Sequence, residues 1–203
     1  MNNNLSRKET AVFWEERWES GERFWDHGRV APPFEEFVKR HGALSGEVLI
    51  PGPGSGHDVR YLASLGARVT GLDVSASAVS IAEKENPHPN ATYRVGDFLH
   101  PEAVLLGRYD WVVEHTCLCS MNSGLWENYA ASVSKVLKPG GHFLAIFYRN
   151  PASEEGPPFG IDAESIEGLF GKRFELLESW VPNKSYASRA GREEVRWYKL
   201  DSA

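Results

Sequence analysis

The sequence predicts an α/β fold organised on a mostly parallel sheet, and three features of one stretch carry that expectation. Val48-Leu49-Ile50 is an apolar run with nothing polar in it, as suits a parallel strand buried on both faces. Gly52, Gly54 and Gly56 follow at alternate positions, then Tyr61, Leu62 and Leu65 at helical spacing, with Gly66 as a C-terminal stop. Val69 and Leu72 lead to the carboxylate of Asp73, which ends a second strand. Together these make one βαβ unit with a glycine turn at its first switch.

The other elements follow in order. Trp14 and Trp18 are four apart and share one helical face, and Gly21 breaks that helix before Trp25. Pro32-Pro33 opens a second helix through Val38, because proline suits a first turn. Ser75 caps a helix carrying Ala78, Val79, Ile81 and Ala82, which stops at Asn86-Pro87. Residues 91–95 form a third strand that delivers Gly96-Asp97-Phe98 to the edge where ligands sit in open α/β sheets. Residues 109–113 form a fourth strand, ending at Glu114-His115-Thr116-Cys117. A helix over 125–137, a turn at Lys138-Pro139-Gly140-Gly141 and a fifth strand over 142–147 come next. A loop over 149–160 precedes a short helix over 161–170. Two last strands, 174–181 and 194–200, are joined by a polar loop with Lys184, Tyr186 and Arg189.

Composition narrows the function. A chain of 203 residues suits one domain, 1–203, with enough apolar content to bury a core. Its net charge of −6 and lack of a basic block argue against nucleic acid as a partner. No apolar run approaches a membrane span and residues 1–4 have no signal-peptide core, so no membrane partner is expected. The two cysteines, Cys117 and Cys119, are too close to staple a fold, which favours a reducing, cytoplasmic setting. They read as buried, inert thiols rather than a metal or redox pair, and no metal is expected. Glu15-Glu16 and Glu154-Glu155 read as solvated charges. A monomer acting on a small molecule is the expectation.

The glycine spacing points to a ligand. A dinucleotide fingerprint asks for G-x-G-x-x-G, but counting from Gly52 the third position is His57. The pattern present is G-x-G-x-G with an acid at Asp73, and it resembles class I methyltransferases, which bind S-adenosylmethionine (SAM). Glycines let the backbone approach a ligand without a Cβ in the way. Asp73 can accept hydrogen bonds from both ribose hydroxyls. SAM has no pyrophosphate, so no phosphate-cradling helix terminus is required. The competing reading is a glycine-rich turn without a ligand.

The resemblance then narrows. Phe13-Trp14-x-x-x-Trp18 with Trp25-Asp26-x-Gly28-Arg29, Pro51-Gly52-x-Gly54-x-Gly56-His57-Asp58, and Gly71-Leu72-Asp73-Val74-Ser75 are the first part of it. Gly96-Asp97-Phe98, Leu137-Lys138-Pro139-Gly140-Gly141 and Gly156-Pro157-Pro158-Phe159 complete it. Over nearly the whole chain these look like the thiopurine, thiol and halide methyltransferase family. The resemblance implies a Rossmann-like class I methyltransferase fold: a mostly parallel seven-stranded sheet with a C-terminal antiparallel hairpin and helices on both faces. It implies SAM contacts from Trp14, Trp18, Trp25, Gly52, Asp73, Asp97 and Phe98. Gly54, Gly56, Val74 and His115 complete the candidate cofactor site.

Some residues keep two readings. The tryptophans of the 1–40 arm are either staples to the core or an aromatic lid, indole being the best cation–π partner for a sulfonium. Asp97 either accepts from an adenine amino group, with Phe98 beside the ring, or is a turn aspartate. The family commonly has Asp-Tyr-Thr after strand four, where this chain has Glu114-His115-Thr116. His115, the one catalytic candidate, either fills the tyrosine's place as a neutral side chain or serves as a base.

The implied activity is transfer of the SAM methyl to a small soft nucleophile (a thiol, thiopurine or halide) by direct SN2 displacement. The protein's part would be water exclusion and in-line positioning. Alternatives are a selenium, tellurium or amine acceptor, a non-catalytic SAM-binding regulator, and an NAD-type oxidoreductase, which His57 opposes.

Overall fold

The structure, a computed structural model, describes residues 6–151 and 155–202. The expectations for residues 1–4 and for Glu154 lie outside the described residues. In chain order the elements are α1 (Arg7–Ser20), α2 (Pro32–His41), β1 (Glu47–Pro51), α3 (His57–Ser64), β2 (Arg68–Asp73), α4 (Ala76–Glu85) and β3 (Ala91–Val95). Then come β4 (Tyr109–His115), α5 (Trp126–Val136), β5 (Leu137–Tyr148), α6 (Ala163–Phe170), β6 (Phe174–Trp180) and β7 (Glu193–Leu200). The strands form one sheet in the order β3-β2-β1-β4-β5-β7-β6. The pairs up to β4–β5 are parallel, and β7 runs antiparallel to both β5 and β6. Strand order and directions are those the sequence leads one to expect, C-terminal antiparallel hairpin included.

The sheet is buried on both faces, and the strand sequences say how. Successive side chains of a strand point to opposite faces. Val48 and Ile50 of β1 join one apolar cluster with Phe34 and Phe37 of α2, Val59 and Leu62 of α3, and Val79 of α4. Leu49 joins the other, with Tyr129 and Val133 of α5 and Ile166 and Phe170 of α6. Strand β5 divides the same way: Leu144 and Ile146 face the first cluster, Phe143, Ala145 and Phe147 the second. Each fully buried aliphatic side chain here contributes about 1.5–3 kcal/mol.

Local signals set the helix ends. The Ser6 hydroxyl accepts from Glu9 N–H and the Glu9 carboxylate from Ser6 N–H, a capping box the sequence reading did not use. Ser75 Oγ accepts from Ala78 N–H at 3.0 Å to start α4. Helix α6 begins two residues later than expected because Asp162 caps it, Oδ1 accepting from Ser165 N–H at 2.7 Å. Ile161 is then free to bury in the core.

One element departs from expectation. Lys138–Gly141 is not a separate turn but the start of β5. Tyr109 faces Leu137 while Trp111 faces His142, so the extra residues loop out as a bulge. Gly140 takes the positive φ, 73°, that the bulge needs, and Lys138 Nζ pairs with Asp110 at 2.7 Å.

Register brings the ligand edge together. Pro51 lies opposite Leu72, Asp73 opposite Val95, and His115 opposite Ile146. The chain therefore leaves β1, β2, β3 and β4 at one edge, carrying Gly52, Val74, Gly96 and Thr116.

Candidate active site

A cavity of about 350 Å³ opens at that edge, the size range of small-ligand sites. All the residues expected to meet a cofactor line it except Gly56. A Cβ at Gly56 would lie 2.5 Å from Tyr93 Oη, and the tyrosine hydroxyl sits over the Gly56 carbonyl. Gly56 is therefore needed for packing beneath the turn. The other two turn glycines do open space on the cavity side. A Cβ at Gly52 (φ 57°) would stand 2.9 Å from Cys117 Sγ, and one at Gly54 (φ 53°) would stand 3.2 Å from the Trp18 ring.

On the cavity floor, Asp73 is nearly fully buried. Its Oδ2 accepts from Gly54 N–H at 3.2 Å and its Oδ1 from Ser75 N–H at 3.0 Å. Burial pushes this carboxyl up, and those N–H donors act against the rise. Further hydroxyl donors would act in the same sense. Asp97 has committed both oxygens: Oδ1 accepts from Leu99 N–H at 2.8 Å in a local turn, and Oδ2 pairs with Arg7 of α1 at 3.1 Å. Phe98 is buried with its ring centroid 4.9 Å from that of Tyr129. Val74 is partly exposed beside Asp73.

The roof comes from the first thirty residues. Trp25 is the centre of an edge-to-face group, 5.1 Å from Trp14 and 5.6 Å from Trp18 between ring centroids. Trp14 Nε1 is buried with no hydrogen-bond partner. Glu15 anchors α1 by accepting from the Ser77 hydroxyl at 2.8 Å. The end of the 1–40 arm, α2, packs on the sheet instead, so the covering part is α1 and the segment after it.

The far end of the cavity holds residues that sequence reasoning did not connect. His115 Nδ1 lies 2.9 Å from Asp58 Oδ2, and Arg189 Nη1 lies 3.2 Å from His115 Nε2. A carboxylate accepts and a guanidinium only donates, so the proton sits on Nδ1 and the Nε2 lone pair is taken by Arg189. Asp58 is itself held by Ala31 N–H at 2.8 Å. Arg189 also approaches Glu193 at 3.5 Å and lies over the Tyr148 and Tyr186 rings. The motif His57-Asp58 and the candidate His115 were both visible in the sequence; their pairing was not.

The segment after β4 is strained, and of its two thiols, both expected to be buried, Cys119 is buried while Cys117 is partly exposed in the cavity wall. Thr116 has φ 66°, an unusual conformation for a β-branched residue. It turns His115 toward Asp58 and Cys117 toward Gly52. Burial pushes the Cys117 thiol well up and the Cys119 thiol up to about 12, so both stay protonated. Beneath them Glu114 is buried and accepts from the Tyr129 hydroxyl and from Leu118 N–H. Phe159 closes the side of the cavity, its N–H bonded to the Cys119 carbonyl at 2.7 Å.

Residues 9–199 match the family model described as thiopurine S-methyltransferase (TPMT). The chain is 31% identical to "Probable thiol methyltransferase 2" of Arabidopsis thaliana, over 92% of this chain and 84% of that protein. It is 31% identical to "Thiocyanate methyltransferase 1" of Brassica oleracea, over 93% and 85%. It is 23% identical to the thiopurine S-methyltransferase of Acinetobacter baylyi, over 81% and 85%. Among solved structures, the N-methyltransferase NodS of Bradyrhizobium japonicum with S-adenosylhomocysteine superposes with a TM-score of 0.71, at 18% identity over 94% of this chain and 98% of that one.

Proposed function

This chain belongs to the thiopurine S-methyltransferase family and is a SAM-dependent methyltransferase, and from that premise we propose which residues hold SAM and what kind of acceptor is methylated. The oxidoreductase and regulator readings fall with family membership. Asp73 would accept from the ribose hydroxyls. Gly52 and Gly54 would present bare backbone to the ligand, since a Cβ at either would crowd the cavity wall. Trp14, Trp18 and Trp25 would cover it, and the unpartnered Trp14 Nε1 offers a donor inside the roof. Phe98, Val74, Asp97 and His115 would complete the contacts.

When bound, SAM supplies a methyl group on a sulfonium, open to direct SN2 displacement by a nucleophile in line. The protein excludes water with its indole roof and fixes the line of approach from the His115 side. One observation carries the acceptor class: the Nε2 lone pair of His115 is already held by Arg189, so His115 offers no free base to an acceptor. An acceptor that arrives as a competent nucleophile fits such an end: a thiol with an accessible thiolate, a thiopurine or a halide. Arg189 supplies positive charge beside such an anion.

We read the protein further as one domain working as a monomer in the cytoplasm, without nucleic-acid or membrane partners. The net charge of −6 and the two free thiols support this. Among the described residues no helix is long and apolar enough to cross a membrane. The deciding assay scores S-adenosylhomocysteine release with iodide, thiocyanate, hydrosulfide and an aryl thiol. We expect release with at least one. Silence with all four, in protein that binds SAM, overturns the acceptor class.

A further inference from the structure

His57 stands where a dinucleotide fingerprint would have glycine, and it faces the arm. Asp26, next to Trp25, is gripped from three directions. His57 Nε2 lies 3.1 Å from Oδ1, the Ser55 hydroxyl donates to Oδ2, and Gly28 N–H donates to Oδ1 at 2.8 Å. Ser55 and His57 flank Gly56 in the glycine turn, so one carboxylate ties the tryptophan group to the turn beneath it. The tie is well shielded, with side-chain exposures of 24% for His57 and 15% for Asp26. The turn is braced from below, where Asn86 Nδ2 donates to the Ser55 carbonyl at 2.7 Å.

We propose that Asp26 and His57 form a protonation-dependent clasp that seats Trp14, Trp18 and Trp25 over the cavity, and so sets SAM affinity without entering the chemistry. The proposal rests on the reading that these tryptophans cover SAM. Both groups stand in the cavity wall beneath the arm and are bonded to each other, so we assign them as positioning residues.

The electrostatics favour a charged clasp. The bond to Asp26 raises the His57 pKa, and the neighbouring carboxylates Asp58 on α3 and Glu85 on α4 act in the same sense. Glu85 is shared with Arg23 of the arm at 3.2 Å. The His57 bond, the Ser55 hydroxyl and the Gly28 N–H hold the Asp26 carboxyl well below its usual range, so it is ionised throughout the working range. His27, the next residue, is pulled the other way by burial and by Arg189, and its ring stacks on Tyr186 at 3.9 Å. His57 is raised in the seated arm relative to a released one. Seating is therefore fully supported below the released-state pKa and is lost as pH rises through the higher, seated-state pKa.

The test measures the dissociation constant of S-adenosylhomocysteine by calorimetry from about pH 5.5 to about pH 9. The proteins are the wild type, His57→Gln, Asp26→Asn and Trp25→Ala, with turnover at saturating SAM followed in parallel. Ligand titration is common to all of them, so the difference in slope from His57→Gln is the readout. We expect the wild type to lose about fivefold in affinity across the His57 transition, and both clasp variants to start about fivefold weaker and lack that step. Turnover of His57→Gln and Asp26→Asn at saturation should stay within about twofold of wild type. If Asp26→Asn does not fold, the wild type and His57→Gln decide alone. Equal pH slopes in those two overturn the clasp. If Trp25→Ala weakens binding while the clasp variants do not, the cover stands and the clasp fails. If Trp25→Ala binds like wild type, the cover reading fails and takes the clasp with it.

Discussion

The sheet and the arm before α2 are held to the same molecule by different physics. The middles of the sheet's central strands are apolar and buried on both faces: Val48-Leu49-Ile50, Val112-Val113 and residues 143–147. Of the fourteen residues of α1, only Trp18 is buried. The arm is attached instead at polar points: Arg7 to Asp97, Glu15 to Ser77, Arg23 to Glu85 and Asp26 to the glycine turn. Apolar burial in the sheet involves no titrating group, whereas the half-exposed pairs Arg7–Asp97 and Arg23–Glu85 are weak and screened, and the Asp26 tie alone is shielded. The body can therefore stay folded while the arm opens, which is what a site that must admit and release ligands requires.

Substitutions in the two regions should separate stability from binding. The largest effect belongs to the sheet. Phe143→Ala, in a fully buried position away from the cavity, should cost about 3–5 kcal/mol in urea unfolding while the folded protein keeps its SAM affinity. A loss below about 1 kcal/mol would show that the sheet core is looser than its burial implies. Next comes the floor of the site. Asp73→Ala should weaken SAM binding by about 1–3 kcal/mol, since ribose hydroxyls would lose a charged acceptor. Unchanged affinity by calorimetry would remove Asp73 from the ribose.

The arm should show the reverse of Phe143. Trp14→Ala or Trp25→Ala is expected to reduce SAM affinity by about 1–2 kcal/mol with little change in the unfolding midpoint. Circular dichroism of an unfolded variant would make these tryptophans staples of the fold and erase the contrast between the regions. The smallest effect is expected at the acceptor end. His115→Phe should alter acceptor affinity yet slow turnover by less than tenfold, about 1.4 kcal/mol. Comparing a low-pKa with a high-pKa thiol checks this. A large loss confined to the high-pKa thiol would mean that His115 releases Arg189 and acts as a base.

The same contrast explains what could be read from the residues alone. The β1 run, the Ser75 cap and the glycine turn are local patterns, and each sits where its spacing implies. The Lys138–Gly141 bulge was hidden because only pairing with β4 shows that the strand continues through it. The polar contacts of the site join distant residues: Asp26 with His57 across 31 positions, Asp58 with His115 across 57, His115 with Arg189 across 74. No periodicity encodes such pairs. Gly56 shows a subtler limit, for its place in the motif suggested a ligand and its neighbour is Tyr93.

The arm's attachments also order events in time. Glu15 and Arg23 each wait for a partner 62 residues further on, and the Arg29 carbonyl accepts from the Tyr186 hydroxyl, 157 residues further on. In synthesis the arm precedes each of these partners, and contacts form as partners emerge. Docking of the arm therefore has two stages, onto α4 first and onto the loop before β7 later. The glycine turn that receives Asp26 is complete before that loop emerges, so the indole group can be seated before Tyr186 fixes Arg29.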